Sequence, residues 1–325
     1  PNPCPQPGTG ACCFDTGACT VLTGAECAAQ EGAYQGDGST CSPNPCPQPA
    51  TGACCFESGL CVVATEHDCL TQGGLFQGAD TSCTPNPCPF PVKTLCELAE
   101  DDVNGIPVLN GQRVQVEGVA HVPNGIWSGT TTQFEISDGS CCVSVFGGSI
   151  VPVAIGDRVL VRGTVMHYNG LTEISSPDLE VTVLSGGHPV YGPTPVTTGE
   201  LGLNGEQYEA CFISIQCATI VSGTWPTSNQ NANLTIDDGS GPVTLRIDRD
   251  TDIDGSPAPT GPINIVGVAY QFDGSSPYTE GYQILPRSLE DITPCVVSQP
   301  GACCFSDGSC QYLLETDCAT AGGSW

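Results

Sequence analysis

Positive charge is almost missing from this chain. Its 325 residues hold 7 Lys and Arg against 35 Asp and Glu, a formal net charge of −28. So few cations cannot neutralise a track of phosphates, which excludes a general nucleic-acid binder. Methionine occurs once, only 13% of residues are charged, and 41 Gly with 28 Pro would break most helical turns. A coiled-coil or long-helix protein is therefore excluded. No run of 18 apolar residues exists, so no membrane-spanning helix is expected. Histidine is scarce (His67, His121, His167, His188) and no Cys-x-x-Cys occurs, so zinc-site spacing is absent. Neither G-x-S-x-G nor H-E-x-x-H is present, and the chain reads as a non-enzyme.

Cysteine is the residue in excess. Twenty-three of them point to disulfides in an oxidising, extracellular compartment. The odd total requires one cysteine to be free or to have a partner outside the chain. Lacking an initiator Met and a signal peptide, the sequence reads as a mature or truncated window.

The cysteines fall in a repeat. Pro1-Asn2-Pro3-Cys4 recurs at Pro43–Cys46 and Pro85–Cys88, and Cys12, Cys13, Cys19, Cys27 and Cys41 become Cys54, Cys55, Cys61, Cys69 and Cys83. A third copy keeps the offsets at Cys295, Cys303, Cys304, Cys310 and Cys318 and stops at Trp325. Each unit predicts a hairpin about a Gly turn (Gly17, Gly59, Gly308), then a short helix opened by Thr23/Glu26 or Thr65/Asp68 at capping-box spacing. Gly32, Gly74 and Gly323 are expected to be left-handed helix stops, and Leu314 takes the cap position in the third copy. Forty-odd residues bury too little to fold alone, so three bridges per unit, about 3 kcal/mol each, are expected to supply the deficit. The Pro-rich joints read as stiff extended spacers.

Between the modules the pattern changes to strands of period two, for example Val114/Val116, Phe134/Ile136 and Val159/Val161, then Leu234/Ile236, Val243/Leu245 and Ile263/Ile265. Cys211, Ile213, Ile215 and Cys217 are expected to share one strand face. Both halves carry an Asp-Gly-Ser hairpin, at Asp138–Ser140 and Asp238–Ser240. The fold class is thus all-β: two tandem Greek-key barrels flanked by disulfide-rich modules. The expected boundaries are 1–42, 43–84, a joint at 85–92, a barrel at 93–185, a linker at 186–194, a barrel at 195–294 and a truncated module at 295–325.

The stretches NGIPVLNGQRVQVEGVA, FEISDGS, GDRVLVRGTV, LTIDDGSGPVTLRID and GYQILPRSLEDI resemble oligonucleotide/oligosaccharide-binding (OB) modules of secreted bacterial proteins. The PNPCPQP…GACCF units resemble cysteine-rich tandem repeats of large secreted bacterial proteins. The OB resemblance implies binding of single-stranded nucleic acid or of sugar chains. The scarcity of Lys and Arg turns that expectation toward glycans, with Trp127, Tyr168, Trp225 and Tyr278 as stacking candidates and Phe272 beside them. Asp250, Asp252 and Asp254, followed by Gly255, have the alternate-oxygen opening of a calcium loop, although Gly261 stands where a bidentate Glu belongs. Asn233-Leu-Thr235 is the one N-glycosylation sequon.

The disulfide framework is expected to comprise Cys4, Cys12, Cys13, Cys19, Cys27, Cys41, Cys46, Cys54, Cys55, Cys61, Cys69, Cys83, Cys88, Cys295, Cys303, Cys304, Cys310 and Cys318. Outside the complete repeats, Cys88, Cys96, Cys141, Cys142, Cys211 and Cys217 form an even set. Cys211 and Cys217 lie too far apart along one strand to meet the ~7 Å limit of a bridge, and Cys141 and Cys142 face opposite ways, so all four need separate partners. The functional expectation is an extracellular structural protein, the protomer of a filament, fibre or stalk that self-associates head to tail, with its third copy completed from beyond Trp325. The alternative is a secreted glycan-binding module.

Overall fold

A computed structural model describes residues 7–295 and 301–325. The chain divides into two compact units, residues 1–91 and 92–325. Cys4 lies outside the described residues.

In the first unit, Thr9–Cys13 (β1) and Cys19–Thr23 (β2) form an antiparallel hairpin, and Ala33–Tyr34 (β3) returns onto β1. Between them Gly24–Ala29 (α1) opens on the Thr23/Glu26 capping box, with both reciprocal bonds made. Thr51–Cys55 (β4), Cys61–Thr65 (β5), Glu66–Thr71 (α2) and Leu75–Phe76 (β6) repeat the arrangement in the same register, Cys55 facing Cys61 as Cys13 faces Cys19. Thr65 caps α2 by accepting from the Asp68 N–H at 3.1 Å.

The helix stops differ from expectation. The left-handed residues are Glu31, Gly73 and, in the third module, Gly322, one position earlier than predicted. Gly32, Gly74 and Gly323 are required for another reason. A Cβ there would lie 2.3, 2.3 and 2.2 Å from the sulfur of Cys12, Cys54 and Cys303. The chain passes so close to a disulfide that only glycine fits.

Bridge connectivity corrects the self-contained module. Two bridges stay inside each unit, Cys12–Cys27 with Cys19–Cys41, and Cys54–Cys69 with Cys61–Cys83. The third leaves it: Cys13 bonds Cys46 and Cys55 bonds Cys88. Cys88 therefore belongs to the repeat rather than to the barrels' set. The joints are not free spacers either. Asn44 Nδ2 donates to the Gly17 carbonyl at 3.0 Å and Asn86 Nδ2 to that of Gly59 at 3.1 Å, so each Pro-Asn-Pro-Cys segment is bonded to the preceding hairpin turn.

The second unit starts with Leu95–Leu98 (α3), capped by Thr94 and Glu97. Arg113–Ala120 (β7), Thr131–Ser137 (β8), Cys142–Ser149 (β9), Arg158–Tyr168 (β10) and Leu171–Ser185 (β11) then close a five-stranded barrel. The ring runs β7-β8-β9-β11-β10, antiparallel except for β9 with β11. After Thr194–Pro195 (β12) and Thr198–Asn204 (α4) come Phe212–Ser222 (β13), Ala232–Asp237 (β14), Pro242–Ile247 (β15), Ile263–Gln271 (β16) and Tyr282–Leu285 (β17). They form the same ring, β13-β14-β15-β17-β16, and β16 returns to β13. Ile292–Pro294 (β18) adds to β16. Alternating Val, Ile and Leu positions fill both interiors, as a half-buried strand requires. The two Asp-Gly turns place Gly139 and Gly239 at φ 92° and 100°.

Cys211 and Cys217 do not share a face. A bulge between Ile215 and Ala218 puts Cys217 at φ 54° and turns it outward, where its N–H donates to Asn264 Oδ1 at 3.0 Å. Their bridges are separate: Cys142–Cys211 joins the barrels and Cys217–Cys295 joins the second barrel to the third module. Cys96–Cys141 ties α3 to the first barrel. The third module repeats the hairpin as Gly301–Cys304 (β19) and Cys310–Leu313 (β20), followed by Glu315–Thr320 (α5), with Leu314 making no side-chain cap. It keeps Cys303–Cys318, but Cys304 and Cys310 are exposed thiols, a correction to the expected framework. Among the described residues no helix is long and apolar enough to cross a membrane.

Candidate functional site

The two barrels meet along a packed seam. Val122, Trp127, Leu171, Val268, Tyr270 and Leu285 form an apolar cluster drawn from both. Arg287 clamps its edge: it pairs with Asp291 at 2.9 Å, donates to the His121 carbonyl at 3.0 Å and lies 4.1 Å over the Phe212 ring. His121 is buried and bonds the Ala210 carbonyl at 2.9 Å, and burial holds its pKa down at about 4.

Behind this cluster the seam is lined with carboxyl groups. Glu135 projects from β8 with no exposed surface, accepts from the Tyr270 hydroxyl, and has a second oxygen without a partner. Burial pushes its pKa up to about 8 against the opposing Tyr270 bond, and burial likewise lifts Glu173 on β11 to about 7. Glu209, half-buried, accepts from the Thr172 N–H at 2.9 Å; burial and then the nearby Glu206 push it well above the ordinary value. Asp101 rises to about 8, through burial first and then Glu206. A carboxyl that stays protonated here can donate as well as accept.

Outward from Glu173 the seam opens into a groove of about 500 Å³. Tyr168 and Phe272 stand on its rim, 56% and 58% exposed, with ring centroids 6.4 Å apart at 68°. Gln133, Gln283, Thr244 and Asn233 supply polar atoms, and the cation in the lining, Arg246, is engaged by Asn233 Oδ1 at 3.0 Å and by Asp248 at 4.0 Å. Such a lining suits an uncharged polyhydroxyl ring: a flat apolar face for stacking, and neutral amides, hydroxyls and a carboxyl for hydrogen bonds.

The structure sorts the aromatic candidates. Tyr168 is on the groove. Trp127 is buried in the seam, edge-on to Tyr270 at 5.6 Å, because the second barrel covers it. Trp225 packs on the second core and donates Nε1 to the Ser256 carbonyl at 3.1 Å. Tyr278 is half-buried against His167, with centroids 4.3 Å apart. Glu135, Glu173, Tyr270 and Gln283 were not among the residues singled out from sequence.

The aspartate loop does not converge. Asp252 accepts from the Leu289 N–H at 2.7 Å, and Asp254 accepts from the N–H groups of Asn229 and Gln230, while the Asp250 N–H itself donates to Asp248. The Asp252 and Asp254 carboxylates fasten different loops. Among the described residues, the one close group of metal-type ligands is Cys55, Cys61 and Cys88, whose sulfurs are all in bridges. Asn233 is exposed on β14 beside the groove.

No protein-family model matches the chain, and no curated protein matches it. Among solved structures it is similar to a murine DNA-binding protein bound with double-stranded DNA, at 10% identity over 53% of this chain and 90% of that one, TM-score 0.30. It is similar also to the p204 HINb domain, at 10% identity over 55% and 93%, TM-score 0.27. A third, the Ifi202 HINa domain with 20-base-pair DNA, gives 9% identity over 52% and 91%, TM-score 0.27. At these values the likeness assigns nothing to this chain.

Proposed function

We propose that this protein is an extracellular structural protein, the protomer of a fibre, filament or surface stalk built of disulfide-stapled modules. One observation carries the reading: bridges run beyond a hairpin-and-helix module or a barrel to the joint, barrel or module that follows it. Cys13–Cys46, Cys55–Cys88, Cys142–Cys211 and Cys217–Cys295 each fasten one module to the next segment or barrel. Bridges placed only inside modules would stabilise their folds. Bridges across joints resist separation, which carrying tension requires and ligand binding does not. Ten disulfides among the described residues and the acidic composition suit a secreted, tandem-repeat protein of the bacterial type the sequence resembles. Imaging of purified material tests it. Fibres with an axial repeat of one protomer, resistant to protease until reductant is added, are expected; single particles alone would overturn the filament.

A second reading is favoured by the groove. Tyr168 and Phe272 beside neutral polar groups fit a glycan, and calcium is not needed for it. Hits on a glycan array that disappear with Tyr168→Ala, from material that stays monomeric, would favour binding over structure.

A further inference from the structure

The two barrels present matched faces to the groove between them. In the first, Gln133 on β8 pairs with Phe146 on β9, and Ser144 on β9 pairs with Glu173 on β11. In the second, Asn233 on β14 pairs with Arg246 on β15, and Thr244 on β15 pairs with Gln283 on β17. Between these rows Val145 with Ile174, and Leu245 with Ile284, turn into the two cores. Glu173 therefore stands where the second barrel has Gln283. An amide at either place would serve a sugar hydroxyl, but the first barrel holds a carboxyl there.

That carboxyl is not satisfied by the chain. Glu173 is 8% exposed and lines the groove, and among the described residues its side chain joins no hydrogen bond or ion pair. The ionisable groups around it are engaged elsewhere. Glu135 on β8 accepts from Tyr270 on β16, Glu209 accepts from the Thr172 N–H, and Arg246 is held by Asn233 and Asp248. Gln271, also in the lining, adds a second unmet acceptor. Its Nε2 donates to the Tyr278 and Glu280 carbonyls at 3.0 and 2.9 Å, and its buried Oε1 has no partner. An uncharged ring can use the amides and hydroxyls, yet it brings no counter-charge to Glu173. A primary ammonium brings three donors and no acceptor. It can also rest against Tyr168 and Phe272 at the rim, whose rings lie 6.4 Å apart.

We infer that the groove binds a glycan bearing free amines, of the glucosamine type, with the ammonium of one ring paired to Glu173. The inference rests on the glycan reading of the groove and deepens it by naming the sugar. A net charge of −28 draws such a polycation toward the chain, and Glu173 selects the ring that is held. Burial holds the unpaired Glu173 carboxyl at about 7. An ammonium beside it favours the ionised form, so capture expels a proton.

Titration calorimetry on the full chain at about pH 6 compares the glucosamine tetramer with cellotetraose, which carries a hydroxyl in place of each amine. The glucosamine tetramer is expected to bind about tenfold tighter, the worth of one hydrogen bond between charged groups. Glu173→Gln copies the residue that the second barrel holds at the matched place, and it should erase this preference. Runs in two buffers of different ionisation heat should show the parent releasing a proton on capture that Glu173→Gln does not release. Equal binding of the two tetramers by the parent would overturn the amine and leave the glycan reading standing. Failure to bind either would refute both. A preference that persists in Glu173→Gln would trace to bulk charge and overturn the pairing, as would a lysine tetrapeptide bound as tightly as the glucosamine tetramer.

Discussion

Raising the pH from 4.5 to about 8 is expected to loosen the seam between the barrels, and Glu135→Gln to suppress most of that loss. Glu135 is wholly buried, and its folded pKa of about 8 lies above the ordinary 4.5. Below 4.5 it is protonated folded or unfolded, so its contribution to stability is fully present. As the pH rises through about 8, the unfolded chain gains from ionising while the folded seam resists, and the contribution is lost. One such group costs ~4 kcal/mol by about pH 8. Glu173, raised to about 7, acts in the same direction, as does Glu209. Glu97 and His121 run the other way. The cap bonds of Glu97 hold it down at about 2, so its contribution is lost only at lower pH. Burial holds His121 at about 4 against the ordinary 6.5, so its contribution grows as the pH rises toward about 6.5 and offsets part of the carboxyls' loss. A calorimetric scan at about pH 4.5 and 8 should therefore show the barrel transition falling by ~10 °C. In Glu135→Gln, which keeps the acceptor for Tyr270 and cannot ionise, the fall should be much smaller. A midpoint that rises over this interval, or a variant that behaves like the parent, would contradict the seam's protonation.

Reduction is expected to divide the molecule by element. Each of the first two modules buries little beyond Ala11, Cys12, Cys13 and Cys27, or their counterparts in the second copy. Three bridges at about 3 kcal/mol each exceed what so small a core supplies. The barrels rest on apolar clusters of 15 and 14 buried residues and do not depend on sulfur in that way. With reductant, amides in 9–34 and 51–76 should exchange hydrogen freely while those in β7–β10 and β13–β17 remain protected. Barrels that exchange before the modules would reverse this ranking.

How much of this was legible differs by element. The repeat and its hairpins were, because cysteine offsets and Gly turns are local. Bridge connectivity was not: the repeat that runs from Pro1 to Pro43 can be cut anywhere, and spacing alone does not say whether Cys46 serves its own module or the one before. The barrels followed from alternation along Val114–Val116 and Leu234–Ile236. The seam did not, because Glu135 and Glu173 alternate like solvent-facing residues and become buried only when a second barrel covers them. A signal was present in Val266–Tyr270, where apolar residues replace alternation and both strand faces are half-buried or buried. Trp127 and Trp225 read as stacking rings because aromatics in loops often meet ligands; here packing against neighbouring strands uses them.

Covalent fastening of one module to the next is what the structural reading stands on, and a disulfide map of the native chain tests it most directly. Digestion without reduction, followed by mass spectrometry, should recover peptides joined by Cys13–Cys46, Cys55–Cys88, Cys142–Cys211 and Cys217–Cys295. A map in which these cysteines pair only within their own modules, for instance Cys13 with Cys19 and Cys55 with Cys61, would contradict it.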